Sequence, residues 1–571
     1  MRFPSKLGQT LLMAAIACAP GIAALSIAQQ SPTLYPVSGV VLNSLTRQPI
    51  PRVLVDGDTD GVLTDGDGRF ELNLPEGMDQ IQVHRPGYNS RGQDVTHAVH
   101  VGPNLPSLTF YLTPEASISG HVTLSSGDDP DGIRFTAYLR HTVNGHPKWR
   151  MAGGASTNTE GVFRLANLDT PGIYAICSAP VQDHNIVRGP DSRRSRAASM
   201  ARSAESTGYP SVCYPGPISE SAELANLLPI SPGQQIEFEL SLNRQPFYPV
   251  SIAVPNAPPG QPVGVQIFDP SGRALEYYAS WNQQRGVAEV NLPNGQYYAE
   301  GHSGGQISYY GRVDFHVANA PLQALSMTLL QLHPIPVEVH RQFAANARND
   351  QPQSSANSIA LQDLVDPGVN LVLIPVDSVM GDAVGGGLGQ RQGSTDKSLF
   401  EIGNILPGRY WVQSFPYQGY ISGITSGGAD LTREPLIVGP GNTTAPIQIV
   451  LRKDGGEIHC TVNPTQSAAA GTQMGEMNYA FVYAIPDSPN GSQIPQTALQ
   501  GSGTVVLANL APGRYRVVAL EKSADIVAAG PTELARLASL GKSVTIEAGG
   551  INNIELDVIP AGAEAEEGAT P

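Results

Sequence analysis

The chain has 571 residues, and 15% of them are charged, against the ~25% usual for globular domains. Its formal net charge of −16 argues against nucleic acid as a partner, because phosphate binding requires concentrated positive charge. The 61 Gly and 48 Pro predict many turns and few long helices. The two candidate helices, at residues 219–228 and 532–540, are short.

Residues 1–28 are predicted to be a signal peptide. Arg2 and Lys6 precede an apolar stretch at 10–28, which ends in small residues suited to signal peptidase. Lipidation at Cys18 is the less favoured alternative, because the residues before it form a poor lipobox. Export would place the mature chain in the periplasm, at the cell surface or outside the cell. No transmembrane span is expected beyond residue 28, where no apolar run approaches the ~18 residues that a helix needs.

An acidic stretch, DGDTDGVLTDGDGRF at 56–70, lies in the first predicted module, residues 36–114. Asp56, Asp58 and Asp60 could hold Ca²⁺ weakly, but an EF-hand requires flanking helices and a Glu at its twelfth position, which is Asp67 here. Asp-Gly pairs adopt positive φ easily and predict hairpin turns at 56–60 and 65–68. The stretch is therefore interpreted mainly as turns, and the sequence indicates no cofactor beyond weakly bound Ca²⁺.

The first module resembles the carboxypeptidase regulatory-like family. The residues that carry the resemblance are the opening Gly-Val-Val, Gln48-Pro49-Ile50-Pro51, Thr64-Asp65-Gly66-Asp67-Gly68-Arg69-Phe70 and Arg85-Pro86-Gly87-Tyr88. The resemblance covers about 80 residues and implies a transthyretin-like β-sandwich with a non-catalytic accessory role. Such folds also group with starch-binding-like and Cna B-type sandwiches.

The second predicted module, residues 115–245, contains two of the three cysteines that follow the signal peptide. An oxidising compartment favours a disulfide between Cys177 and Cys213, which leaves Cys460 as the free thiol; three free thiols are the alternative. The module also has an Arg-rich segment, which is interpreted as a solvated loop rather than an anion site. Its arginines are Arg188, Arg193, Arg194, Arg196 and Arg202.

The third predicted module, residues 246–332, is rich in aromatic residues, although the chain as a whole is only 6% aromatic. Three Tyr-Tyr doublets lie at 277–278, 297–298 and 309–310. Successive strand side chains point to opposite faces, so each doublet is expected to send one ring inward and one outward. Outward rings on neighbouring strands would form a row suited to the apolar faces of sugars or to a protein partner. The alternative is that Tyr merely covers the sheet. The candidate ligand-binding residues are Tyr277, Tyr278, Trp281, Tyr297, Tyr298, Tyr309 and Tyr310.

A repeated pattern sets the number of modules. An alternating strand, a turn and Pro-Gly-x-Tyr recur in FRLANLDTPGIY (163–174), FEIGNILPGRY (400–410) and VVLANLAPGRY (505–515), with weaker copies in the first and third modules. Five closing strands, four of them followed at once by an opening strand, add modules at 333–453 and 454–560. An acidic tail at 561–571 is expected to be disordered. The sequence thus predicts an all-β fold, a tandem array of about five antiparallel, Ig-like or transthyretin-like β-sandwich modules.

No catalytic residue is predicted. The H-E-x-x-H motif of zinc peptidases is absent. Residues 301–305 match the G-x-S-x-G nucleophile elbow, but that motif needs a following helix, and both flanks here resemble strands. Ser303 is therefore expected at the tip of a hairpin.

The sequence favours an exported, non-catalytic binding or scaffolding protein of the cell envelope, with carbohydrate or an envelope protein as its partner. The alternative is a purely structural multi-domain spacer, and an enzyme with an unrecognised site is less favoured. Clustered exposed aromatic rings would favour binding, and uniformly polar surfaces would favour the spacer. Convergent titratable groups in a cleft would favour an enzyme.

Overall fold

The computed structural model describes most of the chain after residue 32. The described ranges are 33–89, 96–103, 105–143, 146–182, 206–219, 227–304, 308–342, 368–380, 384–391, 393–394, 396–463, 479–487, 494–500, 502–521, 523–524 and 531–560. The predicted signal peptide, the Arg-rich segment 188–202, the acidic tail and most of the candidate helix at 219–228 lie outside these ranges. Among the described residues, no helix is both long and apolar enough to cross a bilayer.

The first two modules are built from strands whose alternate residues are buried. In the segment at 69–75, for example, Phe70, Leu72 and Leu74 are buried, and the residues between them face solvent. The strands of the first module are β1 (Leu34–Asn43), β2 (Leu54–Asp56), β3 (Gly61–Leu63), β4 (Arg69–Pro75), β5 (Gly77–His84), β6 (Thr96–Val101) and β7 (Leu108–Leu112). Those of the second are β8 (Ser117–Leu124), β9 (Arg134–Val143), β10 (His146–Ser156), β11 (Val162–Leu165), β12 (Gly172–Ser178), β13 (Val181–Gln182), β14 (Ser206–Tyr209), β15 (Cys213–Tyr214), β16 (Leu228–Ile230) and β17 (Gln235–Leu242).

The third and fourth modules follow the same plan. The third comprises β18 (Gln245–Ala253), β19 (Gly264–Phe268), β20 (Ala274–Leu275), β21 (Ser280–Asn282), β22 (Val287–Leu292), β23 (Gly295–Ser303), β24 (Tyr309–Val317), β25 (Leu322–Ser326) and β26 (Leu330–Gln331). The fourth comprises β27 (Ile335–Gln342), β28 (Val369–Pro375), β29 (Val384–Gly386), β30 (Gly389–Gln390), β31 (Leu399–Ile402), β32 (Gly408–Pro416), β33 (Tyr420–Ser426), β34 (Ala429–Asp430), β35 (Leu436–Val438), a 3-10 turn (Pro440–Asn442) and β36 (Ile447–Arg452).

The fifth module adds a helix to this plan. It comprises β37 (Gly456–Asn463), β38 (Tyr479–Pro486), β39 (Gln496–Gln500), β40 (Gly503–Leu510), β41 (Gly513–Leu520), α1 (Pro531–Ser539), β42 (Lys542–Ile546) and β43 (Ile551–Ile559). Helix α1 matches the candidate helix predicted at 532–540, and its Leu537 is buried in a cluster with Tyr483 and Leu520.

The prediction of an all-β array of sandwiches is confirmed. Five of the buried hydrophobic clusters each lie within one module. The chosen module boundaries themselves stay a prediction. One sheet crosses such a boundary, because β13 and β14 of the second module continue the sheet of β18, β22 and β21.

The pairing of the opening and closing strands differs from the expected antiparallel arrangement. In every module the first strand lies parallel to a closing strand: β1 with β7, β8 with β17, β18 with β25, β27 with β36, and β37 with β43. Parallel neighbours require a long crossover. The chain between the opening and the closing strand of each module supplies this crossover. The short turns between the other strands therefore do not exclude a parallel pair of opening and closing strands.

The recurring Gly-x-Tyr has a physical reason that the sequence pattern alone did not reveal. In four modules the Tyr is buried at the third position of a strand, and its hydroxyl donates to a backbone carbonyl four or five residues upstream. These tyrosine corners are Tyr174 to Asp169 (2.8 Å), Tyr297 to Pro293 (3.1 Å), Tyr410 to Leu406 (2.7 Å) and Tyr515 to Ala511 (2.9 Å). In the first module, buried Asp79 takes this position and accepts a hydrogen bond from the backbone N–H of Asp58.

The second and fourth modules meet through a buried lysine. Lys148 is 4% exposed, and its Nζ donates to the carbonyl oxygens of Pro375, Val376 and Ser378 at 2.5–3.2 Å. The next residue, Trp149, is fully buried, and its backbone N–H donates to Val379 O at 2.8 Å. The segment at 375–379 therefore lies against the outer face of the second module.

The third module joins the same junction. Buried Arg273 binds Asp269 on its own module at 2.9 Å and donates to Ser211 Oγ of the second module at 3.0 Å. A Cβ placed on Gly272 would lie 2.8 Å from Ser378 Oγ of the fourth module. We call the contact region of the second, third and fourth modules the three-module junction.

The predicted cysteine pair lies on adjacent strands. Cys177 on β12 is directly opposite Cys213 on β15, and the two form a disulfide. Cys460 is a free thiol with no exposed surface, and its burial raises the pKa of the thiol to about 11. The Cys460 thiol is therefore shielded from solvent in the folded protein.

In a chain beginning at residue 29, we expect alkylation of the native protein to modify no cysteine, because the one free thiol is buried and protonated. Denaturant without reductant should give one adduct, on Cys460, and denaturant with reductant should give three. Mass spectrometry distinguishes these states. Three adducts without reductant would contradict the disulfide, and a native adduct would contradict the burial of Cys460.

Candidate functional site

The candidate site is a groove of about 850 Å³ on the third module, with one wall from the second. Its floor is the outer face of β18, β22 and β21, where alternation places Ser251, Glu289 and Asn291 away from the core. The lining residues come from all three of these strands. A volume of this size is typical of ligand-binding clefts.

Tyr278 stands at the groove with 85% of its surface exposed. It lies in the segment between β20 and β21, whereas the sequence predicted that it would lie on a strand. Tyr277 points the other way into the core, 5% exposed, and its ring packs edge-on against Phe247 and Tyr297. Burial raises the pKa of Tyr277 to about 12. This doublet therefore alternates inward and outward as expected.

The groove walls are held by polar contacts. Arg285 donates to Glu289 at 2.8 Å, and Glu276 forms an ion pair with Arg134 of the second module at 2.7 Å. Gln182, on β13, donates its side-chain amide to the backbone oxygen of Asn291 at 3.1 Å. Hydrogen-bonding groups and paired charges thus surround one exposed aromatic ring.

The second Tyr-Tyr doublet does not reach the groove. Tyr297 is a tyrosine corner in the core, and Tyr298 on the opposite face is only 8% exposed. The Tyr298 ring stacks on Phe268 at 4.9 Å, and the Arg312 guanidinium lies 3.7 Å from its centroid. Burial raises the pKa of Tyr298 to about 12. Tyr298 is therefore a packed residue of the third module.

The remaining aromatic candidates are also packed. Tyr310 is 8% exposed, and its hydroxyl donates to Glu300 at 3.0 Å. Tyr309 and Trp281 are half-buried against the core of the third module. The structure does not bring the seven candidate rings into one exposed row. Of these seven, Tyr278 alone is exposed at the groove. A ligand-binding role for them stays a prediction.

The acidic stretch consists mainly of turns on either side of β3, and its candidate calcium ligands are Asp56, Asp58 and Asp60. Asp60 accepts backbone N–H groups from Gly61 (2.9 Å) and Asn73 (2.8 Å), so both of its oxygens serve the turn. The turn containing Asp56 and Asp58 closes the β2–β3 hairpin, as predicted. The turn at 65–68 instead carries the chain to the other sheet, which corrects its prediction as a hairpin. Within the described ranges, no group of three or more His, Cys, Asp or Glu is placed to hold a metal ion.

Ser303 is the last residue of β23, in the hairpin with β24. It is 2% exposed and donates to the Gln261 side chain at 3.2 Å. The match therefore lies in a hairpin, but Ser303 is paired with Tyr309 at the end of the strand rather than at the predicted tip.

Sequence reasoning did not identify Gln182, Glu276, Arg285 or Glu289 as groove residues. The alternation of β22 could have placed Glu289 on an outer face. Nothing local indicates that β13 of the second module would form a wall beside it.

Comparisons with known proteins identify no family. No family model matches the chain, and no curated protein matches it. One similar solved structure is the Bacillus anthracis TIE protein, at 10% identity over 92% of this chain and 68% of that chain, with a TM-score of 0.13. Another is a streptococcal ancillary pilin, at 10% identity over 52% of this chain and 99% of that chain, with a TM-score of 0.17. A putative polysaccharide-binding protein of Bacteroides thetaiotaomicron also matches (13%, 29% and 76%, 0.15). At these identities and TM-scores, the matches carry no argument about function.

Proposed function

We propose that the chain is an exported, non-catalytic binding and scaffolding protein of the cell envelope, and that its groove binds carbohydrate. The observation that carries the proposal is the position of Tyr278, an exposed ring beside a channel lined with amide, hydroxyl and carboxylate groups. The apolar face of a sugar ring stacks on an aromatic side chain, and its hydroxyls bond to polar neighbours.

The scaffolding part of the proposal is supported by the three-module junction. Buried contacts between modules, such as those of Lys148 and Arg273, oppose free rotation at the joints. The groove itself has walls from two modules, since Gln182 and Glu276 come from different ones. Packing between modules would therefore hold the binding groove in one shape.

Replacing Tyr278 with Ala should weaken retention on insoluble polysaccharide roughly fivefold to tenfold, which corresponds to about 1–1.4 kcal/mol for a lost stacking contact. The melting temperature should hardly change, because the ring is exposed. Pull-down on a panel of polysaccharides measures retention.

Tyr417→Ala is the matched control, because Tyr417 is also exposed (61%) but lies on the fourth module, outside the groove. Its retention should equal that of the unmutated chain. If no polysaccharide retains the unmutated protein, the carbohydrate proposal is lost and the structural spacer takes its place. Equal losses in both variants would count against the groove as the binding site.

A further inference from the structure

The charges that line the groove are compensated in pairs. Among the described lining residues, the ionised side chains are Glu276, Arg285 and Glu289. Arg285 is bound to Glu289 at 2.8 Å, and Glu276 is bound to Arg134 at 2.7 Å. The formal charges of these two pairs sum to zero, so the lining residues that the structure describes carry no excess positive charge to attract an anionic ligand.

The uncharged groups in the groove suit sugar hydroxyls. Ser251, Ser280 and Asn291 lie on the floor. The Ser280 hydroxyl donates to the backbone oxygen of Glu289 at 3.2 Å and can still accept, and Gln182 lies in the wall with its side-chain nitrogen bound to the backbone. The three floor strands lie about 4.8 Å apart, so the floor extends about 10 Å across the strands. The full chain has a formal net charge of −16, which repels polyanions at a distance.

We propose that the groove selects an uncharged polysaccharide chain and discriminates against anionic polysaccharides. This inference rests on the proposed carbohydrate function and assigns its ligand class. Tyr278 supplies the stacking face, and the amide and hydroxyl groups of the floor bind sugar hydroxyls. The Arg285–Glu289 pair is the selectivity element, because Glu289 neutralises the cation that would otherwise attract a carboxylate or sulfate.

The test is native affinity electrophoresis at low salt, with dextran, soluble starch and a soluble β-glucan as neutral polymers and alginate and hyaluronate as anionic ones. Low salt is needed because exposed charges are screened beyond about 10 Å at 0.1 M. At least one neutral polymer should retard the unmutated chain, and the anionic polymers should not. In Glu289→Gln, Arg285 loses its partner, and retardation by the anionic polymers should rise severalfold.

Glu71→Gln is the matched control, because it makes the same change in net charge on an exposed strand position of the first module. It should gain no affinity for anionic polymers. Retardation of the unmutated chain by anionic polymers as strong as by neutral ones would overturn the inference and leave the carbohydrate function standing. A Glu289→Gln variant that gains nothing would also overturn it. If no polymer of either class retards the unmutated chain, the proposed function itself fails.

Discussion

Replacing Lys148 with Met is expected to destabilise the protein by about 4 kcal/mol. Met fills a similar volume but has no donor, so three backbone carbonyls at the three-module junction lose a charged hydrogen-bond partner. Each buried polar group left without a partner lowers the free energy of unfolding by about 1–3 kcal/mol. Water that enters the opened junction would bind these carbonyls and reduce the summed loss. The segment at 375–379 would keep its hydrogen bond from the Trp149 backbone N–H but lose its three bonds to Lys148, so it should be held less firmly against the second module.

Urea unfolding measures this effect as a fall in the urea concentration at the midpoint of the first unfolding transition. Lys397→Met is the control, because Lys397 is exposed on the fourth module and the change should alter stability by less than about 0.5 kcal/mol. Equal stability of the two variants would show that the junction contributes little. Limited proteolysis should at the same time become faster near 375–379 in Lys148→Met alone.

Raising the pH from 10 to 12 is expected to unfold the modules that contain tyrosine corners. Burial raises the pKa of Tyr174, Tyr410 and Tyr515 from 10.0 to about 12. Below pH 10 these groups are protonated in both states and their stabilising contribution is complete. Between pH 10 and 12 the unfolded chain releases the proton and the folded chain retains it. Stability then falls by about 1.4 kcal/mol per pH unit for each Tyr, or about 2.7 kcal/mol over the interval.

Circular dichroism and the near-ultraviolet absorbance of phenolate report this transition together. Loss of the β-sheet signal should coincide with the cooperative part of the absorbance change. Tyr515→Phe should be less stable than the unmutated chain at neutral pH by about 1 kcal/mol, the value of the lost hydrogen bond, and more stable near pH 12. Full phenolate absorbance in a chain that keeps its sheet signal would contradict burial as the source of these pKa values.

The strands and their faces could be predicted from sequence because the information is local. A period of two places Phe70, Leu72 and Leu74 on one side of β4, and the structure buries all three. The opening and closing strands were visible for the same reason. Their parallel pairing was not, because strand neighbours are chosen by contacts across the whole module.

The candidate site could be predicted only in part. Alternation implied that one ring of each doublet would face away from the core, and this holds for Tyr278. Alternation did not predict that Arg312 would cover the Tyr298 ring. It also did not predict that Ser378 of the fourth module would lie against Gly272, next to Tyr298. The groove needs Gln182 from the second module, so its existence depends on how modules pack.

The parallel pairing of opening and closing strands determines how the chain would respond to mechanical force. Because these strands run in the same direction, the chain enters each module at one end and leaves it at the other. A pull on the two ends then acts along the paired strands, and β8 and β17, for example, are in register over eight residues. Their hydrogen bonds are loaded in shear and must break together, whereas a hairpin pulled from its open end unzips one bond at a time. A chain built from such modules would resist stretching at the opening strand of each one.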